Sequence, residues 1–297
     1  MTSLHGLFVP LITPFTADGT LAPGALERHA HAVLDAGATG LVALGTTAEP
    51  SALTTAERAR VLDICAGVCA DRRAPLIACA GGNATAESVR AVTELAHPVA
   101  AVLAVVPYYV RPSEEGVIAH FTQLAALSPA PLLVYDVPYR TGRPLSGSTL
   151  IRLANTPNIA GFKHAVGGID AASVELMAAR TSATVLSGDD RFASALLGLG
   201  AHGAILAAAN IAPREYADLI AAWRDGDIIR ARAIGNSLDA VGATLFAEPN
   251  PTVIKAVLAE RGQIPSSAVR LPMLPASSAA TTAAAEACAA AATITRV

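Results

Sequence analysis

The chain has 297 residues, of which 53% are hydrophobic and 15% charged, so it can bury a large core and lies outside the disordered class. A net charge of −3 leaves no electrostatic footprint for nucleic acid or an anionic membrane surface. No run reaches the roughly 18 consecutive apolar residues of a membrane span, and the opening Met1-Thr2-Ser3-Leu4-His5-Gly6 lacks the basic stretch of a secretion signal. A cytoplasmic protein that engages neither nucleic acid nor membrane is expected.

In chain order, short apolar runs recur at 8–13, 40–45, 75–80, 101–107, 131–138, 159–164, 184–188 and 203–207. They are continuous rather than alternating, the pattern of strands buried on both faces of a parallel sheet. Segments with helical spacing lie between them. In 21–36, Leu26, His29, Ala30, Val33 and Leu34 share one stripe; 54–69 opens on Thr54 with Glu57 three residues on, a capping-box pattern; 83–96 starts at Asn83. The segments 113–127, 146–154, 170–180 and 190–199 fill the remaining gaps. This alternation predicts an α/β fold, a (β/α)8 TIM barrel. A doubly wound sheet is the other arrangement that fits, but no Gly-x-Gly-x-x-Gly follows the first strand. Beyond residue 212 no strand is expected, and 213–223, 227–246, 252–260 and 278–292 read as helices. The last is alanine-rich, and alanine's helix propensity makes a helix the plainer reading than low complexity. The expected organisation is a barrel over 1–224 carrying the active site and a small C-terminal helical appendage over 225–297.

Cys65, Cys69, Cys79 and Cys288 are the four cysteines. No histidine or second cysteine pair completes a zinc pattern around them, so they read as reduced core thiols, and no metal site is expected.

The polar residues concentrate where the predicted strands end, the end at which TIM barrels carry chemistry. The second strand runs into Gly45-Thr46-Thr47-Ala48-Glu49, the fourth into Pro107-Tyr108-Tyr109, the fifth into Tyr135-Asp136-Val137-Pro138 with Arg140 beyond, and the seventh into Ser187-Gly188-Asp189-Asp190. The sixth carries Lys163, one of only two lysines among 21 basic residues. A lysine in an apolar strand is penalised as an ammonium and favoured as the neutral amine a nucleophile needs; the structural alternative is neutralisation by Asp189 or Asp190. Lys255, on a helix after Pro251, reads as a solvated or interface charge. Four of the five tyrosines, Tyr108, Tyr109, Tyr135 and Tyr139, cluster around the fourth and fifth strand ends. They read either as proton-shuttling phenols or as plain interface aromatics. Thr46 and Thr47 offer hydroxyls and backbone donors for a carboxylate, and Arg140 a bidentate clamp for a second one.

Taken together, these motifs resemble the dihydrodipicolinate synthase and N-acetylneuraminate lyase superfamily over nearly the whole chain. Gly45-Thr46-Thr47-Ala48-Glu49 resembles the family's Gly-Thr-Thr-Gly-Glu, and Pro107-Tyr108-Tyr109-Val110-Arg111-Pro112 its paired-tyrosine segment. Tyr135-Asp136-Val137-Pro138-Tyr139-Arg140-Thr141-Gly142 resembles Tyr-Asn-Val-Pro-x-Arg-Thr-Gly, and Gly161-Phe162-Lys163 sits where the Schiff-base lysine belongs. Ser187-Gly188-Asp189-Asp190, Glu248-Pro249-Asn250-Pro251 and Arg270-Leu271-Pro272-Met273 also match.

The resemblance implies a class I lyase needing no metal or organic cofactor, with pyruvate and an aldehyde as its small-molecule partners. Lys163 would form the imine with pyruvate, and Tyr135 would relay protons. Thr46 would link Tyr135 to Tyr109 of a neighbouring subunit. Thr47 would bind the pyruvate carboxylate, Arg140 the carboxylate of the aldehyde, and Gly188 and Ile205 would line the pocket. Arg140 implies the synthase branch, which acts on aspartate semialdehyde in lysine and diaminopimelate biosynthesis. Ala48, Asp136 and His164 depart from the pattern, replacing a glycine, an asparagine and an acidic residue. They keep open a second reading, another pyruvate-dependent aldolase; a non-catalytic barrel is the third. Asn83, Ala84, Glu87 and Tyr108 match a lysine-effector site, while Pro50, Ser51, Thr55 and Arg58 stand at its other positions, implying weak or absent inhibition by lysine. A shared Tyr109 implies a homo-oligomer, a dimer or a tetramer of dimers.

Overall fold

The computed structural model describes residues 4–294. Eight strands form: β1 (Gly6–Pro10), β2 (Gly40–Ala43), β3 (Leu76–Cys79), β4 (Ala101–Val105), β5 (Leu132–Asp136), β6 (Ile159–His164), β7 (Thr184–Ser187) and β8 (Gly203–Ile205). The strands close in sequence order into one barrel, with parallel pairing throughout the registered pairs. The architecture is the (β/α)8 barrel that the alternating pattern predicts. Most strands stop two or so residues before the apolar runs do. Leu11, Ile12 and Val106 remain buried beyond the ends of β1 and β4, and the Leu11 and Val106 N–H groups still donate to Val42 O and Tyr135 O, both at 3.1 Å.

Helices fill the gaps, and several begin where a side chain satisfies a free N–H group. Thr54 and Glu57 form the predicted capping box at Thr55–Arg72. Ser113 accepts from the Gly116 N–H, Ser146 from Thr149 and Asp170 from Ser173. Beyond residue 212 the described residues add only helices: Pro213–Arg224, Ile228–Leu245, Thr252–Glu260 and Ser278–Ile294. The alanine-rich last helix is packed. It buries Thr281, Ala284, Cys288 and Ala291, spaced three or four apart, and lies against Ile228–Leu245. All four cysteines are free, and burial pushes the thiols of Cys65, Cys69, Cys79 and Cys288 up to about 12, 11, 12 and 11.

Two compact units can be drawn through the chain, Ile77–Ile205 with the residues up to His5, and Gly6–Leu76 with Leu206 onward. In the first, Val102, Ala104, Val134, Phe162 and Val185 on the strands pack against Val117, Phe121, Leu124, Leu150, Leu153 and Leu176 on the helices. The β5–β6 register shifts between Leu132 and Leu133, which face Ile159 and Gly161. Gly161 leaves no room for a side chain, since a Cβ there would lie 1.9 Å from the Thr184 carbonyl oxygen. In the second unit the buried Asn210 ties the end of β1. Its Nδ2 donates to Pro10 O and Ala207 O at 2.8 and 2.9 Å, and its Oδ1 accepts from the Ile12 N–H at 3.2 Å.

Candidate active site

Strand alternation decides which residues at the ends of β5 and β6 stand together. Tyr135 pairs in register with Lys163, and Asp136 with His164. Val134 and Phe162 face the helix layer, so Tyr135 and Lys163 take the opposite face. Both are buried, at 8% and 7% exposure. Lys163 Nζ lies 4.2 Å from the centre of the Tyr135 ring, a cation–π contact. Among the described residues no carboxylate reaches Lys163 at ion-pair distance, so the structural alternative, neutralisation by Asp189 or Asp190, finds no support. Gly188 follows β7 and closes on the same side chain. A Cβ at 188 would lie 2.7 Å from Lys163 Cγ and 2.9 Å from Ala165 Cβ. Ile205, the last residue of β8, is fully buried.

The predicted rim residues are exposed. Tyr108 is 43% and Tyr109 87% accessible, and Tyr109 holds a left-handed φ of 68°, a conformation a bulky residue adopts only when its surroundings enforce it. Arg140, on the short helix Pro138–Thr141, donates from Nε to the Tyr139 hydroxyl at 3.0 Å and stacks over that ring at 5.1 Å. Its remaining guanidinium N–H groups are available to an incoming anion. Of the effector positions, Ala84 is exposed, Asn83 half-buried, and Glu87 is ion-paired to Arg90 on its own helix.

Asp136 and His164 were separate departures in the sequence, yet they meet. His164 Nδ1 is 3.2 Å from Asp136 Oδ2, with both side chains 1% exposed. On the other edge of the imidazole, Nε2 lies 2.8 Å from Ser173 Oγ, and Ser173 donates its hydroxyl to Asp170 Oδ1 at 2.7 Å. The signal was present in the sequence: each residue directly follows Tyr135 or Lys163 on consecutive strands, so parallel register sets them side by side.

In the other unit, Thr46 and Thr47 begin a 3-10 turn, Thr46–Ala48, that follows β2. Thr47 is buried and its Oγ accepts from Asn250 Nδ2 at 3.1 Å. Ala48 is 1% exposed, and its carbonyl accepts the Thr13 hydroxyl at 2.7 Å, so the Cβ that replaces the family's glycine is accommodated in the core. The turn ends at Glu49 in the left-handed region, φ 54°. Here the structure corrects the reading of Lys255 as a solvated or interface charge. Lys255 is completely buried and donates to Glu49 Oε1 at 2.7 Å. Its helix is buried on every side, from Thr252 to Leu258, so the ammonium finds its partner inside the unit. Glu49 Oε2 accepts from the Arg270 N–H at 3.1 Å, and the Arg270 side chain donates to Glu57 Oε2 at 2.8 Å. Lys255 Nζ and the Arg270 guanidinium lie 4.0 and 4.4 Å from the Phe15 ring centre. Burial pulls the Lys255 ammonium down to about 8, against the opposing pull of Glu49. A lysine inside the apolar run Val253–Leu258 was the available clue.

Among the described residues no cluster of His, Cys, Asp or Glu could hold a metal ion, and no helix is long and apolar enough to cross a membrane.

Known proteins are similar to this chain over nearly its whole length. The family model described as "Dihydrodipicolinate synthetase family" matches residues 3–291. A 4-hydroxy-tetrahydrodipicolinate synthase of Acidiphilium cryptum is 40% identical over 273 residues, 91% of this chain and 92% of that protein. The crystal structure of a chloride-inhibited dihydrodipicolinate synthase from Acinetobacter baumannii, complexed with pyruvate, superposes with a TM-score of 0.91 at 34% identity, covering 98% of this chain and 99% of that one. A dihydrodipicolinate synthase of Thermotoga maritima gives a TM-score of 0.92 at 30% identity, over 97% and 98% of the two chains. The chain belongs to the dihydrodipicolinate synthetase family.

Proposed function

We propose that the chain is a 4-hydroxy-tetrahydrodipicolinate synthase, condensing pyruvate with L-aspartate 4-semialdehyde through an imine on Lys163. The observation that carries this reading is a buried lysine with no carboxylate partner, set against the Tyr135 ring at 4.2 Å. Lys163 Nζ attacks the C2 carbonyl of pyruvate, and water leaves as the imine forms. Loss of a C3 proton gives the enamine, whose C3 attacks the aldehyde carbon. The amino group of the adduct then attacks C2, closing the ring and releasing Lys163. Each step moves a proton at the reacting carbons, a task for a positioned phenol. We assign that relay to Tyr135, Thr46 and Tyr109, the pyruvate carboxylate to Thr47, and the carboxylate of the semialdehyde to Arg140. Gly188 and Ile205 line the pocket. No cofactor is assigned. The catalytic barrel is taken as 1–224 and the helical appendage as 225–297.

Borohydride trapping with pyruvate, read by mass spectrometry, tests the imine; a mass shift on any residue other than Lys163 sinks it. Turnover of aspartate semialdehyde, set against sugar acids and hydroxy-oxo acids, tests the substrate. The second reading, another pyruvate-dependent aldolase, drew on Ala48, Asp136 and His164. Ala48 is accommodated in the core, and Asp136 and His164 take the face opposite Tyr135 and Lys163, which weakens their bearing on substrate choice. We also assign Tyr109 to a site shared between subunits, in keeping with its 87% exposure in the single chain. Sedimentation as a monomer at assay concentration, with full activity, would remove Tyr109 from the relay. Arg90 on Glu87 and Arg58 at the effector positions favour weak or absent inhibition by lysine, which a millimolar lysine titration checks.

A further inference from the structure

Both departures next to the reactive pair lie on its reverse face, in contact with one another. The hydrogen-bond inventory there is constrained. Ser173 gives its only proton to Asp170 Oδ1, and the Ser173 backbone N–H also donates to that oxygen, at 2.8 Å. Partial burial pushes Asp170 up, but the bonds from Ser173 outweigh it and hold the carboxyl below its ordinary value, so Asp170 accepts only. Ser173 Oγ must then accept, and His164 Nε2 carries a proton. On the opposite edge, Nδ1 approaches Asp136 Oδ2 to 3.2 Å without the geometry of a hydrogen bond, and neither Nδ1 nor Asp136 Oδ1 has a hydrogen-bond partner. Both side chains are 1% exposed, so the carboxyl and the imidazole edge are left facing one another inside the fold.

The main chain links the pair to the reactive lysine. The Ala165 N–H donates to Asp136 O at 2.9 Å, and the Gly188 N–H donates to His164 O at 2.7 Å. Gly188 in turn is the backbone against which the Lys163 side chain lies. A shift of the His164 ring thus moves the end of β6, Gly188 and the Lys163 stem together.

We propose that Asp136 and His164 are positioning residues: the close contact of Nδ1 with Oδ2 ties the ends of β5 and β6 together and sets the approach of Lys163 Nζ to Tyr135. The two departures from the family pattern are then one linked exchange, an amide–acid combination replaced by an acid–imidazole one. This inference rests on the reading of Lys163 as the imine-forming lysine.

Two replacements of the imidazole separate its edges. His164→Asn keeps a donor near the Nδ1 position, and His164→Gln keeps one near Nε2. Steady-state kinetics and the rate of borohydride trapping with pyruvate are measured for both. The expected result is a fall in kcat and trapping rate of about tenfold or more for H164Q, with KM for pyruvate within about twofold, since misplacing a reacting group by a fraction of an ångström acts on the chemical step. H164N should stay within about threefold of the wild type. Asp136→Asn combined with His164→Glu, which restores the family's combination, should likewise return to within about threefold. Equal kcat for H164Q and H164N, or a wild-type rate for H164Q, overturns the proposal. Should H164Q fail to fold, Ser173→Ala decides. It cuts the tie to Asp170 and leaves the Asp136 contact, so a tenfold loss there would place the effect on the wrong edge and overturn the proposal. Absence of trapping in the wild type would remove the imine reading itself; wild-type trapping with an unaffected H164Q removes this inference alone.

Discussion

Lys163 is the last residue but one of β6, with 7% of its surface exposed, and Lys255 sits within the helix Thr252–Glu260 with none. Both amines also lie over an aromatic ring, at 4.2 and 4.0 Å. They differ in what else is near. Lys255 meets a carboxylate at 2.7 Å, and its attraction to Glu49 offsets part of the cost of leaving water. Among the described residues no carboxylate meets Lys163, which has the Tyr135 ring beside it and no ion-pair partner. Burial alone therefore says little about what a lysine does. The partner inventory separates an amine held by a carboxylate from one that meets only an aromatic ring.

That contrast can be broken at either end. The largest effect belongs to Lys163→Ala, which should abolish pyruvate trapping and cost at least about a thousandfold in kcat/KM. Its Tm should hold or rise, because an unpaired buried amine is removed; residual trapping in this variant would place the imine elsewhere. Lys255→Met should do the reverse. It strands the Glu49 carboxylate in the core and should cost about 3–5 kcal/mol of stability in urea melts. The protein that remains folded should still trap pyruvate. Adding Glu49→Gln should recover much of that loss, whereas simple additivity would argue against a coupled pair.

Gly188→Ala sharpens the other side. Its Cβ would lie 2.7 Å from Lys163 Cγ, and we expect a loss of about ten- to a hundredfold in trapping rate with a small change in Tm. A wild-type trapping rate would mean that the lysine stem has slack. The smallest effect concerns the outer part of the Lys255 cluster. Hydrogen bonds from Arg270, then from the Thr54 backbone, hold the Glu57 carboxyl down at about 2, below its ordinary 4.5. The folded state thus binds fewer protons than the unfolded state in that window. The stabilisation is complete above about pH 4.5 and is lost as pH falls toward about 2. Glu57→Gln should cost about 1 kcal/mol at neutral pH, and the difference from wild type should close across the same window. A gap that persists at pH 2 would assign the effect to the helix cap rather than to Arg270.

Much of this was legible in the sequence, for a physical reason. Strands buried on both faces leave continuous apolar runs, so all eight could be placed; their C-terminal limits could not, because Leu11, Ile12 and Val106 stay buried past the strand ends. The capping box at Thr54 followed from local chemistry, whereas the helix expected to start at Asn83 begins at Thr85 with no side-chain cap. Lys255 was misread because a helix buried on every side has no polar face to betray it, and because Glu49 is 206 residues away in sequence. The Asp136–His164 contact escaped for a related reason. Each residue was compared with a pattern, whereas the parallel register that joins them is a relation between strands.

Gly161 also bears on how such chains are recognised. The Thr184 carbonyl oxygen occupies the space of any side chain there, so the glycine two places before Lys163 is demanded by the neighbouring strand's main chain and not by the reaction. A Gly-x-Lys signature in a barrel of this kind thus combines a steric letter with a chemical one. The two can drift apart: a descendant that lost the amine would still keep the glycine, and a search weighted toward it would gather inactive barrels with active ones.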